Sequence, residues 1–176
     1  SVLNMPHEKI LYIPKIENGI VIDHIPAGLG SQILQIIQVH PDLAGVPITL
    51  GMNLKSKRMG TKDLIKIQMT ELSPQTLQHL SILAPGVTVK RIQNFKVDRK
   101  IVMDPPELIN GLMKCPNPNC ITNSERHLKT CFHCLEKMPM RFACNFCERH
   151  FFAEELEPVH PHVVKTFSAG KEAALK

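Results

Sequence analysis

The sequence predicts an α+β chain: an N-terminal antiparallel sheet with two helices on one face, followed by a small all-β metal-binding domain. Three observations predict it. Residues 1–100 alternate short β-branched runs with only two stretches of helical period. All six cysteines lie between Cys115 and Cys147. The charge divides at the same point: residues 1–100 carry 12 Lys/Arg against 7 Asp/Glu, whereas residues 101–176 carry 9 of each. The expected organisation is a first domain over 1–103, a connector over 104–110, a cysteine domain over 111–152 and a tail over 153–176. Asp104-Pro105-Pro106 stiffens the connector, because proline holds the residue before it extended.

Taken in order, Lys9–Ile16 reads as a strand interrupted at Pro14, and Glu17-Asn18-Gly19 as a turn. Ile20–Ile25 is β-branched and ends at Pro26, which predicts a second strand. Leu29, Ile33, Ile36 and Ile37 recur at helical spacing and predict an amphipathic helix over 27–39. Val46–Leu50 and Leu64–Ile67 are expected as strands joined by Asn53–Gly60. Ser73 before Pro74 matches an N-cap with proline at the first helical position, and Leu77, Leu80 and Leu83 give that helix its apolar side. Val87–Ile92 and Asn94–Val97 complete the set as strands.

Composition excludes several classes. With 43% hydrophobic and 21% charged residues, the chain is neither collagen-like, nor a coiled coil, nor disordered throughout. No apolar run approaches the ~18 residues needed to span a bilayer. The start lacks a basic stretch followed by an apolar one, so a cytoplasmic chain is expected. The first half holds no Gly-rich phosphate loop, no H-E-x-x-H motif and no cysteine.

Two features of that half carry chemistry. Asp23 lies amid Ile-Val-Ile-Asp-His-Ile, where burying a carboxylate is costly without partners. Asp23 and His24 are neighbours, so a regular strand would point them to opposite faces. Lys62 and Lys66, four apart, share a strand face, and with Lys90 and Lys100 they could gather round one polyanion. The plainer account of such a lysine set is a solvated sheet face.

In the second half, Cys115-Pro-Asn-Pro-Asn-Cys120, Cys131-Phe-His-Cys134 and Cys144-Asn-Phe-Cys147 are three pairs at metal-knuckle spacing. A disulfide framework is disfavoured in a chain expected in the cytosol. One structural zinc held by four thiolates is expected, in a closed site with no position left for water. Any two of the three pairs could supply the ligands. A domain this small buries too little to fold without its metal.

The ordered set of Val21-Ile-Asp-His-Ile-Pro26, Gly51-Met-Asn-Leu54, Met59-Gly-Thr-Lys-Asp-Leu-Ile-Lys-Ile67, Ala84-Pro85 and Arg91-Ile-Gln-Asn94 continues into the cysteine half. There Cys115-Pro-Asn-Pro-Asn-Cys-Ile121 and Cys144-Asn-Phe-Cys-Glu148 close the series. Together, over about residues 15–152, these segments resemble the regulatory chain of aspartate carbamoyltransferase. The resemblance implies a subunit without catalytic activity of its own, acting in pyrimidine biosynthesis. Its first domain pairs with a second regulatory chain and binds CTP, UTP and ATP as effectors; its zinc domain grips the catalytic chain. By position, Asp23 would hold the ribose with Lys66, while His24 and Lys100 would face the phosphates, with Lys62 and Lys90 close by. Backbone groups near Ile16, Ile92, Phe95 and Val97 would read the base. The resemblance also selects Cys115, Cys120, Cys144 and Cys147 as zinc ligands, and Asn117, Asn119 and Glu148 as contacts to the catalytic chain.

Departures are visible. Cys131 and Cys134 have no counterpart and are expected as spare thiols; Phe95 stands where a tyrosine is familiar. Pro14 stands where a glutamate is familiar, and it removes a backbone donor. The tail from Ala153 runs past the family's usual end. A rival reading, a zinc-ribbon nucleic-acid-binding protein, lacks a basic footprint in residues 101–176. A zinc enzyme would need His127, His133 or His150 in place of a cysteine. Neither a nucleic-acid nor a membrane partner is expected.

Overall fold

A computed structural model of the chain describes residues 13–137 and 139–159. The first sheet is built from β1 (Gly19–Pro26), β2 (Ile48–Ser56), β3 (Gly60–Ile67), β4 (Thr88–Gln93) and β5 (Lys96–Val102). Its spatial order is β2-β3-β1-β4-β5, and every neighbouring pair is antiparallel. Two helices, α1 (Gly30–Ile37) and α2 (Pro74–Leu83), cross over in the connections β1–β2 and β3–β4. Ile33 and Ile37 of α1 and Leu80 of α2 pack on Ile20, Ile22, Ile25, Ile65, Ile67 and Val89 of the sheet. Each such side chain contributes about 1.5–3 kcal/mol by leaving water.

The expected strand over Lys9–Ile16 falls partly outside the described residues; its remainder, 13–16, is not strand. α1 starts later than its periodicity suggests. Gly28 takes φ +94°, and the Leu29 N–H donates to the Pro26 carbonyl, so 27–29 is a turn rather than a first helical turn. β2 and β3 run longer than expected, because their pairing continues to Ser56 opposite Gly60. α2 begins as predicted: the Ser73 hydroxyl accepts the Thr76 N–H at 3.1 Å. β4 and β5 meet in a two-residue turn, Asn94-Phe95, with φ +49° and +63°. Asparagine suits that geometry; Phe95 is held there by its N–H, which donates to the Glu17 carbonyl at 2.9 Å.

The second unit contains β6 (Leu108–Asn110), β7 (Met113–Lys114), a single helical turn α3 (Ile121–Ser124), β8 (Cys131–Lys137), β9 (Met140–Cys144), β10 (His150–Phe152) and β11 (Glu157–Pro158). One sheet runs β10-β9-β8-β6, and β11 pairs with β7. β6 thus occupies the stretch expected as connector, and β11 the start of the expected tail. Phe132, Phe142, Ile109, Met113 and three of the cysteines form its core. Ile82 of α2 is buried in this second core while Leu80, two residues earlier, is buried in the first. Among the described residues no helix is long and apolar enough to cross a membrane.

Candidate functional site

Two constellations carry chemistry. The first lies on the sheet face turned away from the helices. The regular alternation expected for Asp23 and His24 does not hold. The β1–β3 register shifts between Ile22 and Ile25, and His24 takes φ +58°. This bulge returns Ile25 to the core and leaves Asp23 and His24 on the same outer side. The His24 N–H donates to Asp23 Oδ1 at 2.7 Å, and its Nδ1 lies 3.2 Å from the Thr88 hydroxyl, Thr88 being Asp23's partner across β1–β4.

Asp23 is buried, only 6% exposed, and its partners are the lysines. Lys62 Nζ lies 2.7 Å from one carboxylate oxygen and Lys90 Nζ 2.8 Å from the other. Burial pushes the Asp23 carboxyl up, but hydrogen bonds from Lys62, Lys90 and the His24 N–H outweigh it and hold the group well below the usual carboxylate range. Burial lowers His24, which Asp23 opposes only in part, and also lowers Lys66. Lys66 donates to the Pro14 carbonyl, so the proline that lost a donor still supplies an acceptor.

Cross-strand register orders the rest. Lys66, Val21, Lys90 and Lys100 stand in one row across β3, β1, β4 and β5. Asp23 and Thr88 lie in the next row, and Gly19, Ile92 and Val97 in the row on the other side. From Asp23 to Gly19 is four residues of strand, roughly 13 Å. Ile92 is buried, Ile16 is half-buried and Phe95, Val97 and Lys100 are exposed. Four lysines therefore share one face with a buried carboxylate, beside which the Thr88 hydroxyl and the His24 ring add further polar groups. Thr88 was not singled out by the sequence. Nor was Asp63, which is fully buried on the helix side and accepts the N–H groups of Gly28, Gly30 and Asn53, each at 2.9 Å. Its signal is a carboxylate at an inward position of a strand.

The second constellation is the cysteine cluster. Sγ atoms of Cys115, Cys120, Cys144 and Cys147 all lie within 4.8 Å of one another. Cys115–Cys147 is 3.7 Å and Cys120–Cys144 is 3.8 Å. A tetrahedron with Zn–S bonds of about 2.3 Å has edges of about 3.8 Å, so the four thiols fit zinc. Burial raises the Cys115 and Cys144 thiols, while at Cys147 the Asn117 side chain, the Arg149 N–H and the other thiols outweigh burial and bring it to about 7. Of the three pairings that spacing alone allows, this cluster takes the first and last cysteine pairs. Cys131 and Cys134 lie three apart on β8 and so face opposite sides of its sheet, Cys134 against the core and Cys131 beside the Asn145 amide.

Asn117 is buried, its side-chain oxygen accepting the Asn119 N–H at 3.1 Å, whereas Asn119 and Glu148 are exposed. The Asn123 amide donates to the Cys115 and Asn117 carbonyls and so braces the first knuckle. Glu148 takes φ +60°, closing the second knuckle with its N–H on the Cys144 carbonyl.

Comparison with known proteins places the two constellations in two matched domains, the second of them described as metal binding. Residues 11–104 match the family described as aspartate carbamoyltransferase regulatory chain, allosteric domain, and residues 107–157 the metal binding domain of the same chain. The aspartate carbamoyltransferase regulatory chain of Pyrococcus horikoshii is 40% identical over 146 residues, 83% of this chain and 95% of the relative. That of Pyrobaculum arsenaticum is 42% identical over 143 residues, 81% of this chain and 94% of the relative. That of Methanopyrus kandleri is 37% identical over 140 residues, 79% and 88%. A sheet bearing a lysine-caged aspartate, a zinc-fitting four-thiol cluster and these relatives lead to one family: the chain belongs to the aspartate carbamoyltransferase regulatory chains, the non-catalytic subunit of that enzyme.

Proposed function

We propose that the outer face of the first sheet binds nucleoside triphosphates, CTP, UTP and ATP, as allosteric effectors of a cytoplasmic enzyme. The observation that carries this reading is the cage itself: Asp23 between Lys62 and Lys90, with Lys66 and Lys100 in the adjoining row. Asp23 accepts hydroxyl hydrogens of the ribose beside Lys66, and His24 and Lys100 meet the phosphates. The base lies toward Ile16, Ile92, Phe95 and Val97, where backbone groups read its edge. The roughly 13 Å of strand between these ends supports the span of an extended nucleotide.

The four thiolates hold a structural zinc that shapes the surface offered to the catalytic chain. Exposed Asn119 and Glu148 meet that partner, and buried Asn117 fixes the loop between them. A second regulatory chain completes a dimer through the first domain. In this division the first sheet and its helices sense effectors, 104–107 connect, and the second unit, with β6 and β11 included, docks the catalytic chain. Effectors act by binding unequally to two states of the assembly, and couplings of ~1–3 kcal/mol are sufficient. α2 offers the physical link, since its side chains are buried in both cores.

The test is Lys100→Ala. Lys100 is exposed and unneeded by the fold, so the variant should bind CTP and ATP about tenfold more weakly, as loss of one charge-assisted contact implies, yet still assemble with catalytic chains. Unchanged nucleotide affinity would remove Lys100 from the site; lost assembly would separate this chain's domains less cleanly than proposed.

A further inference from the structure

A cavity of about 250 Å³ opens on the helix side of the first sheet, opposite the face just described. It is lined by Ile20, Val89 and Ile101 from the strands and by Leu72, Pro74 and Leu77 at the start of α2. Helix α1 packs toward β2 and β3, leaving this end of the sheet less covered. The remaining lining is charged: Glu71, Arg91 and Arg99. Arg91 and Arg99 are direct cross-strand partners, an unfavourable arrangement for like charges.

The two arginines are not equivalent. The β4–β5 register shifts beside Arg91, making Asp98 the extra residue of a bulge. Its carboxylate takes Arg91 through Nε at 2.7 Å and Nη2 at 2.5 Å, and Glu71 stands 3.5 Å from Nη1. Arg91 is therefore committed. Arg99 forms no ion pair among the described residues, and it stands exposed at the rim of an apolar hollow. Close-packed interiors carry few such voids, and an apolar void with one uncommitted guanidinium at its edge has the polarity pattern of a ligand site.

We propose that this cavity binds a small amphipathic carboxylate, its apolar body against Ile20, Val89, Ile101 and Leu77 and its anionic head on Arg99. The volume lies just below the ~300–1,000 Å³ of sites for drug-sized ligands, which selects a short chain or a single ring. A cationic head is disfavoured by Arg99, the guanidinium of this rim with no acidic partner among the described residues. A highly charged anion is disfavoured by Glu71 and by the apolar lining. The site is distinct from the nucleotide face: β1 and β4 present Ile20 and Val89 to the cavity and Asp23 and Lys90 to the other side. Its occupant would press between that sheet and α2, the helix shared with the second core.

The experiment titrates the full zinc-loaded chain with octanoate, octylamine and octanol by calorimetry and ligand-observed NMR. Octanoate should bind saturably and at least about tenfold more tightly than octylamine, as a charge-assisted hydrogen bond implies. Arg99→Gln should erase that preference while leaving octanol binding unchanged, and Ile101→Trp, which fills the cavity, should abolish binding of all three. Arg99 is exposed, so its replacement leaves the fold intact and decides the head-group assignment even where Ile101→Trp fails to fold. Equal binding of octanoate and octylamine, absence of saturation, or an Arg99→Gln variant that keeps the preference would each overturn the proposal.

Discussion

Asp23 is held by two ammoniums that are themselves about one-fifth exposed, so it anchors a cluster rather than a single bond. Replacing it by asparagine strands two half-buried lysines side by side. The expected loss at neutral pH is about 2–3 kcal/mol, somewhat below the 3–5 kcal/mol of a fully buried pair. The sign of the pH dependence follows from the lowered carboxyl. Its stabilisation is complete above the ordinary 3.8 and disappears as pH falls through the lower folded-state value. The stability gap between the native chain and Asp23→Asn, measured by denaturant titration, should therefore be constant at pH 5–7 and shrink below pH 4. A gap independent of pH would show that the pairing is not electrostatic.

A second residue-scale case lies in the core. His40 Nε2 and His79 Nδ1 are 2.8 Å apart, both rings are buried, and His79 Nε2 has no partner among the described residues. Burial, reinforced by His40, lowers His79 from 6.5 to about 4, so the folded chain keeps it neutral. Between those values the unfolded chain binds the extra proton, and stability falls as pH drops from 6.5 toward 4, by up to about 3 kcal/mol. His79→Gln should flatten the unfolding midpoint across that window; an unchanged slope would assign the dependence elsewhere.

At the scale of elements, Asp63 ties the start of α1 to the irregular stretch of β2. It accepts three backbone N–H groups from Gly28, Gly30 and Asn53, and Gly30 is close enough that a Cβ there would meet the carboxylate at 2.9 Å. Asp63→Ala leaves three donors without their acceptor and should cost about 3 kcal/mol or more, lowering the unfolding midpoint without touching zinc content. A loss under 1 kcal/mol would mean that water replaces the carboxylate. What the sequence made legible at this scale follows physical redundancy. α2 was readable because Ser73, Pro74 and three leucines agree, and β1 because four of the six residues Ile20–Ile25 are β-branched. The His24 bulge was not, because a bulge is set by pairing with Asp63 and Thr88, which lie far away in sequence. No single strand of the second unit was assigned from the sequence, and for β6, β7 and β11 the reason is the same: two or three residues carry no period, and only their partners make them strands.

Across the whole molecule, the cysteine cluster and the Asp23 cage belong to different units, and α2 buries side chains in the core of each. Cys115, Cys120 and Cys144 are members of the second core, so removing the metal takes away the bonds that would hold four side chains together at its centre. Chelation should unfold the second sheet and leave the first protected, seen as amide exchange confined to 105–159. Cys144→Ser should lose zinc, and Cys131→Ser or Cys134→Ser should retain one ion per chain; zinc loss in either of the latter would bring the middle pair into the site. The cluster's spacing was visible in the sequence, but the choice among three cysteine pairs was not readable from spacing, because Cys131 and Cys134 mimic a knuckle while lying on a straight strand. The most direct test of the central claim is calorimetric titration of the zinc-loaded chain with CTP and ATP, using tripolyphosphate as a charge control. Saturable nucleotide binding that tripolyphosphate does not reproduce is predicted, because Asp23 gives a ribose hydroxyl an acceptor that tripolyphosphate cannot use, whereas the lysines alone read only charge. Tripolyphosphate binding equally well, or no binding by any of the three, would contradict a base-reading effector site on this sheet.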